Sequence, residues 1–105
     1  MNEKLPSAYR RFASEQPRIV KAYEELGDAC LSDGPLDRRT AELVKIGIAI
    51  GAKLDGAIHS HVRRALEAGA QPDEIRHAVR LALTTVGFPT MMKALSLAGD
   101  VLGQG

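Results

Sequence analysis

The chain has 105 residues, 45% of them apolar and 26% charged, and 14 Lys and Arg against 13 Asp and Glu leave a formal charge of +1. A near-neutral chain with no dense Lys/Arg cluster argues against nucleic acid or an anionic membrane as the main partner, because both are met by a basic face. The longest apolar stretch lies between Lys45 and Lys53, far short of the roughly 20 residues that a membrane-spanning helix needs.

The stretch Met1-Asn2-Glu3-Lys4-Leu5-Pro6 lacks the apolar run of a secretory signal, so export is not expected and the cytoplasm is the expected location. Cys30 is the single cysteine; it closes no intrachain disulfide, and the fold has to rest on burial. A monomer of this length hides only about two thirds of the surface its unfolded chain exposes. With no Trp, two Phe and two Tyr to fill a core, self-association is expected before any motif is read.

Pro6, Gln16-Pro17, Ser32-Asp33-Gly34-Pro35, Lys53-Leu54-Asp55-Gly56, Gly69-Ala70-Gln71-Pro72 and Gly87-Phe88-Pro89 divide the chain into six segments, most of them long enough for helices. Segment two carries Ile19, Tyr23, Leu26 and Cys30 on one helical stripe. Segment three is ambiguous: Val44, Ile46, Ile48 and Ile50 alternate as a strand would, while Leu43, Ala49 and the glycines make it apolar all round. A lone strand among helices would leave its backbone groups unpaired, and Asp37 before Arg38-Arg39-Thr40 reads as a capped entry, so this segment is predicted to be a helix buried by the others. Segment four sets Ile58, His61, Val62, Ala65 and Leu66 on one face, with Asp55 as a candidate cap and Gly69 suited to a left-handed close. Segment five carries Ile75, Val79, Ala82, Leu83 and Val86. Pro72 and Pro89 fit the first turns of segments five and six. No repeat, low-complexity tract or second domain is apparent.

Two residues break the apolar pattern. His61 lies on a face that otherwise buries aliphatic groups, where an imidazole gains nothing unless both nitrogens find partners. It is either a core histidine bonded to a neighbouring carbonyl or a general acid/base, since its proton exchanges near neutral pH. Glu42 is a carboxylate in the opening turns of the most apolar helix. It either faces water, favoured there by the helix dipole, or points inward and forms a proton relay with a histidine.

The remaining candidates have plainer readings. His59 and His77 fall on charged faces and are expected in solvent. No HxxxH, HExxH or paired-cysteine spacing supports a metal, and no glycine-rich phosphate loop is present. Cys30 reads as a small core residue, and Met91 and Met92 as core or interface groups. Arg63, Arg64, Arg76 and Arg80 could hold a carboxylate substrate, although surface solvation is the default. Gly47 and Gly51 form a GxxxG pattern that reads as close helix packing.

In order and at matching distances, LDRRTAELVKIGIAIG, HSHVRRALEAGAQPDEI and VGFPTMMKALSLA resemble the carboxymuconolactone decarboxylase and alkylhydroperoxidase D-like superfamily, from about Leu36 to Ala98. The resemblance implies a six-helix, all-α bundle: a single domain over 1–105, with N-terminal helices in 1–35 and the family core in 36–103. It also implies homo-oligomers, commonly trimers or hexamers, and no cofactor. In the family's peroxidase branch a glutamate lies nineteen residues before the histidine of a Cys-x-x-Cys-x-x-x-His motif; Glu42 and His61 fall on those two positions. The resemblance thereby makes them the catalytic residues. The two cysteine positions fall on Leu54 and Ala57, which neither ionise nor attack, so thiol peroxidase chemistry is disfavoured.

The decarboxylase branch does without the cysteines. It removes carbon dioxide from an unsaturated lactone acid and protonates the carbanion, a task for a positioned acid such as His61 with Glu42 orienting it. The expected activity is cofactor-free acid/base chemistry on a small organic acid or lactone, in a pocket between the Glu42 and His61 helices. The alternatives are alkylhydroperoxidase-like activity and a catalytically silent binding module.

Overall fold

The structure, a computed structural model, describes residues 5–103. Met1–Lys4, which form most of the stretch read as lacking an export signal, lie outside the described residues. The fold is all-helical among these residues: α1 (Ser7–Glu15), α2 (Pro17–Ser32), α3 (Arg38–Gly51), α4 (Asp55–Glu67), α5 (Pro72–Arg80), α6 (Leu83–Val86) and α7 (Phe88–Leu102). No helix is long and apolar enough to cross a membrane.

The backbone divides at Pro35–Leu36 into two compact units. In the first, α1 packs on α2, and the Tyr9 hydroxyl donates to Glu24 Oε2 at 2.9 Å. The stripe read on segment two is not a buried face. Ile19, Tyr23 and Leu26 are 54–67% exposed and Cys30 is exposed too, which corrects its reading as a core thiol. Val20, one position round the helix, is the buried residue of α2.

In the second unit α3 and α4 form a hairpin, with α5 and α7 packed against it. Segment three is a helix, as the hydrogen-bonding argument required. The Asp37 carboxylate caps it, accepting from the Thr40 N–H at 2.7 Å and satisfying one of the orphan donors of the first turn. Its core face is Ile46, Ala49 and Ile50, packed on Ile58, Val62 and Ala65 of α4, Ile75 and Val79 of α5, and Met91, Ala94 and Ala98 of α7. Each large aliphatic group buried here contributes about 1.5–3 kcal/mol.

Other sequence expectations need correction. α3 is not covered all round: Val44 and Ile48 are 48% and 63% exposed, and a Cβ placed on Gly47 or Gly51 would meet nothing within 4 Å. The GxxxG face therefore packs on no other helix of the second unit among the described residues. Segment five is not one helix, because the chain turns through Leu81–Ala82 and resumes as the single turn α6. Asp55 is not a cap but the first residue of α4, and its carboxylate pairs with Lys93 of α7 at 3.0 Å. Met91 is buried while Met92 is 45% exposed. Pro72 and Pro89 do sit in first turns. Gly87, which precedes α7, has φ 98° and ψ 161°, a region essentially restricted to glycine.

α3 and α5 are tied at their N-terminal ends by an ion pair between Arg39 and Glu74. The Glu74 carboxyl is held below the ordinary carboxylate value by the Gln71 backbone N–H and then by Arg39. Asp37 is likewise held low, by the Thr40 N–H and hydroxyl. A carboxyl whose value is depressed by folding contributes stability above its unfolded value, about 4, and loses it as pH falls through the folded one. Denaturant midpoints are therefore expected to fall as pH drops below about 4. The double variant Asp37→Asn/Glu74→Gln should show a shallower acid slope than the parent; an unchanged slope would remove these two groups from the account.

Candidate functional site

The α3–α4 hairpin explains how a spacing of nineteen residues becomes a contact. α3 ends at Gly51 and α4 begins at Asp55, so residue 42 lies nine residues before the turn and residue 61 six after it, close enough for two long side chains to meet as the helices run back to back. Glu42 shares the inward face of α3 with Ile46, Ala49 and Ile50 and is fully buried, the one buried charged residue described. His61 Nδ1 lies 2.8 Å from Glu42 Oε1. With the carboxylate ionised, Nδ1–H is the donor, which leaves Nε2 as the imidazole's reactive nitrogen.

The pair is secluded but not sealed: the His61 side chain is 17% exposed and that of Glu42 1%. Glu42 Oε2 is buried and accepts no hydrogen bond among the described residues. An unsatisfied buried acceptor costs on the order of 1–3 kcal/mol. The structure thus brings together the two residues that the sequence singled out, in a geometry suited to moving a proton between a carboxylate and an imidazole.

The other sequence candidates lie elsewhere. His59 is partly exposed and its Nε2 is 3.0 Å from Asp100 Oδ2, a tie between α4 and α7. His77 is exposed. Arg64 and Arg80 are exposed, Arg63 and Arg76 partly so, and Arg76 approaches Asp73 at 3.7 Å. No group of three or more His, Cys, Asp or Glu suited to a metal occurs among the described residues. Of the two positions that the peroxidase motif gives to cysteine, Leu54 is 52% exposed and Ala57 packs partly buried against the core.

A cavity of about 250 Å³ lies near the α3–α4 turn, against α7. Ile50, Ile58 and Ala94 line it, with Lys53, Asp55 and Lys93 among its polar groups, and neither Glu42 nor His61 borders it. Sequence reading missed this cavity because it treated Lys53-Leu54-Asp55-Gly56 as punctuation. One signal was available: the residue just past the α3 cap usually needs a glycine, and here it is a lysine. Lys53 does adopt the left-handed conformation, φ 58°, at a cost of roughly 1 kcal/mol over glycine.

Comparison with known proteins fixes the kinship. Residues 17–100 match the model of the carboxymuconolactone decarboxylase family. The chain belongs to that family. It is similar to an uncharacterized protein of Methanocaldococcus jannaschii, 29% identical over 82 residues, covering 77% of this chain and 79% of the relative. It is also similar to the protein described as uncharacterized protein 4 in the cox locus of Paracoccus denitrificans, 27% identical over 88 residues, with 81% and 79% covered. The crystal structure of an apo carboxymuconolactone decarboxylase family protein from Legionella pneumophila superposes with a TM-score of 0.77 at 24% identity, over 92% of this chain and 87% of that one. At that identity the likeness speaks for the fold.

Glu42 adds desolvation cost to a core that aliphatic groups would fill without it. Glu42→Met, of similar shape and without charge, is expected to leave the thermal midpoint unchanged or raise it. A fall in stability of more than about 2 kcal/mol would make the carboxylate a structural element instead.

Proposed function

We propose that this family member uses Glu42 and His61 for cofactor-free acid/base chemistry on a small organic acid or lactone, as in a decarboxylation. The observation that carries the reading is the 2.8 Å contact of His61 Nδ1 with a fully buried carboxylate. A hydrogen bond of this kind orients the ring, fixes which nitrogen faces outward and stabilises the imidazolium once it forms.

In the proposed step the bond between the substrate's carboxylate and its neighbouring carbon breaks and carbon dioxide leaves. The electron pair stays on carbon and delocalises into the unsaturated carbonyl. The proton on His61 Nε2 then passes to that carbon, leaving a neutral imidazole that regains its proton from solvent. Glu42 Oε1 holds Nδ1–H throughout. Thiol peroxidase chemistry lacks both of its sulfur positions in this chain, Leu54 and Ala57. The silent-module reading draws on a separate observation, that the cavity near the turn is bordered by neither Glu42 nor His61.

Carbon dioxide release from carboxymuconolactone by the purified protein tests the reading. His61→Ala is expected to lower kcat by about 10²–10⁴-fold and Glu42→Gln by less, with folding retained. Activity untouched by His61→Ala would defeat the assignment, consumption of hydroperoxide with a dithiol would favour the peroxidase reading, and inactivity with every small acid tried would favour the silent one.

The family resemblance and the limited core also support a homo-oligomer, a trimer or hexamer, and we place the contact on the open face of α3. There Val44 and Ile48 stand in solvent beside two glycines that would let a second helix approach closely. Light scattering at micromolar concentration should give a multiple of the 11.3 kDa chain mass. Ile48→Glu should shift it to the monomer with little change in helicity.

A further inference from the structure

The cavity near the α3–α4 turn has the composition of a ligand site, and it stands apart from Glu42 and His61. Its floor is apolar and built from three helices: Ile50 and Ile58 are 1% and 3% exposed and Ala94 1%. Its polar lining comprises Lys53, Lys93, Asp55 and the hydroxyl-bearing Thr90. Asp55 Oδ2 lies 3.0 Å from Lys93 Nζ and neutralises it. Lys53 has no ion-pair partner among the described residues, so the cavity presents one uncompensated positive charge above an aliphatic floor.

Lys53 also holds the backbone conformation that glycine would adopt at lower cost. A strained residue of this kind, with its ammonium at the edge of a cavity, is a reason to look for a role in that side chain. We infer that this cavity binds a small organic monoanion with an apolar body, its charge met by Lys53 and its hydrocarbon part lying on Ile50, Ile58 and Ala94. At about 250 Å³ the space falls below the roughly 300–1,000 Å³ of pockets for drug-sized ligands, so the ligand is of the size of a simple aromatic or short-chain carboxylate. For so few atoms the expected Kd is on the order of millimolar. The inference does not rest on the acid/base reading of His61, because neither member of that pair borders the cavity.

The test is a titration of the full-length ¹⁵N-labelled protein with benzoate, followed by amide shifts. Benzoate should move amides in residues 50–58 and 89–97 and leave those around Glu42 unmoved. Benzamide, of the same shape without charge, and inorganic phosphate, charged without an apolar body, should each bind about fivefold more weakly or worse. Lys53→Gln should weaken benzoate by about fivefold, while Lys53→Arg retains it. Lys53→Gly, which suits the positive φ and so cannot fail through strain, should match Lys53→Gln in binding and equal or exceed the parent in thermal midpoint. Benzoate that moves neither segment, binds Lys53→Gly as well as the parent, or is equalled by benzamide or phosphate overturns the inference. His61→Ala keeps the two readings distinguishable, since it should abolish turnover and leave the benzoate titration unchanged.

Discussion

A carboxylate without water around it is the constraint that organises the second unit of this chain. Glu42 sits on the same helical face as the aliphatic Ile46, Ala49 and Ile50, and its side chain is 1% exposed. Such a group is tolerable only where a partner is held close, and His61 is that partner. The contact also fixes the register of the hairpin. A slide of α4 by one residue along α3 would swing His61 about 100° away and leave the acid unpaired among hydrocarbon, so the pair and the aliphatic packing of Ile58, Val62 and Ala65 select the same alignment.

Legibility in the sequence followed the range of each physical signal. Most local signals are legible, Asp55, which is not a cap, being an exception. Asp37 before Thr40 marked the start of α3, and Pro72, Pro89 and the positive-φ glycines at 69 and 87 marked where helices begin and end. The contact between Glu42 and His61 was accessible because both are polar residues on apolar stripes, and a family resemblance gave their spacing meaning. Signals that depend on what covers a surface were not readable. Periodicity identifies an apolar stripe but not its cover: Ile19, Tyr23 and Leu26 form a stripe that stands in solvent, and α3, apolar all round, is open at Val44 and Ile48. The break at Leu81–Ala82 carries neither glycine nor proline. The cavity near the turn draws on α3, α4 and α7, and no spacing in the chain announces it.

Family membership and local chemistry bear on different questions. Membership, from a match over residues 17–100, fixes the ancestry of the scaffold. It does not choose between the reactions that related chains run on it, and function has to be argued from the site. At that level the turn holds Leu54 and Ala57 and no sulfur, while Glu42 and His61 are in contact; the proposed acid/base reading rests on that contact and on no redox group.

The two places argued to bind small molecules share one supporting element. Glu42 and Ile50 both lie on the inward face of α3, eight residues apart, which is about 12 Å along a helix. Between them Ile46 and Ala49 are packed to 0% and 2% exposure. That packed layer separates a proton-handling pair from an apolar cavity with an unpaired ammonium, so the two occupy opposite ends of one rigid hairpin.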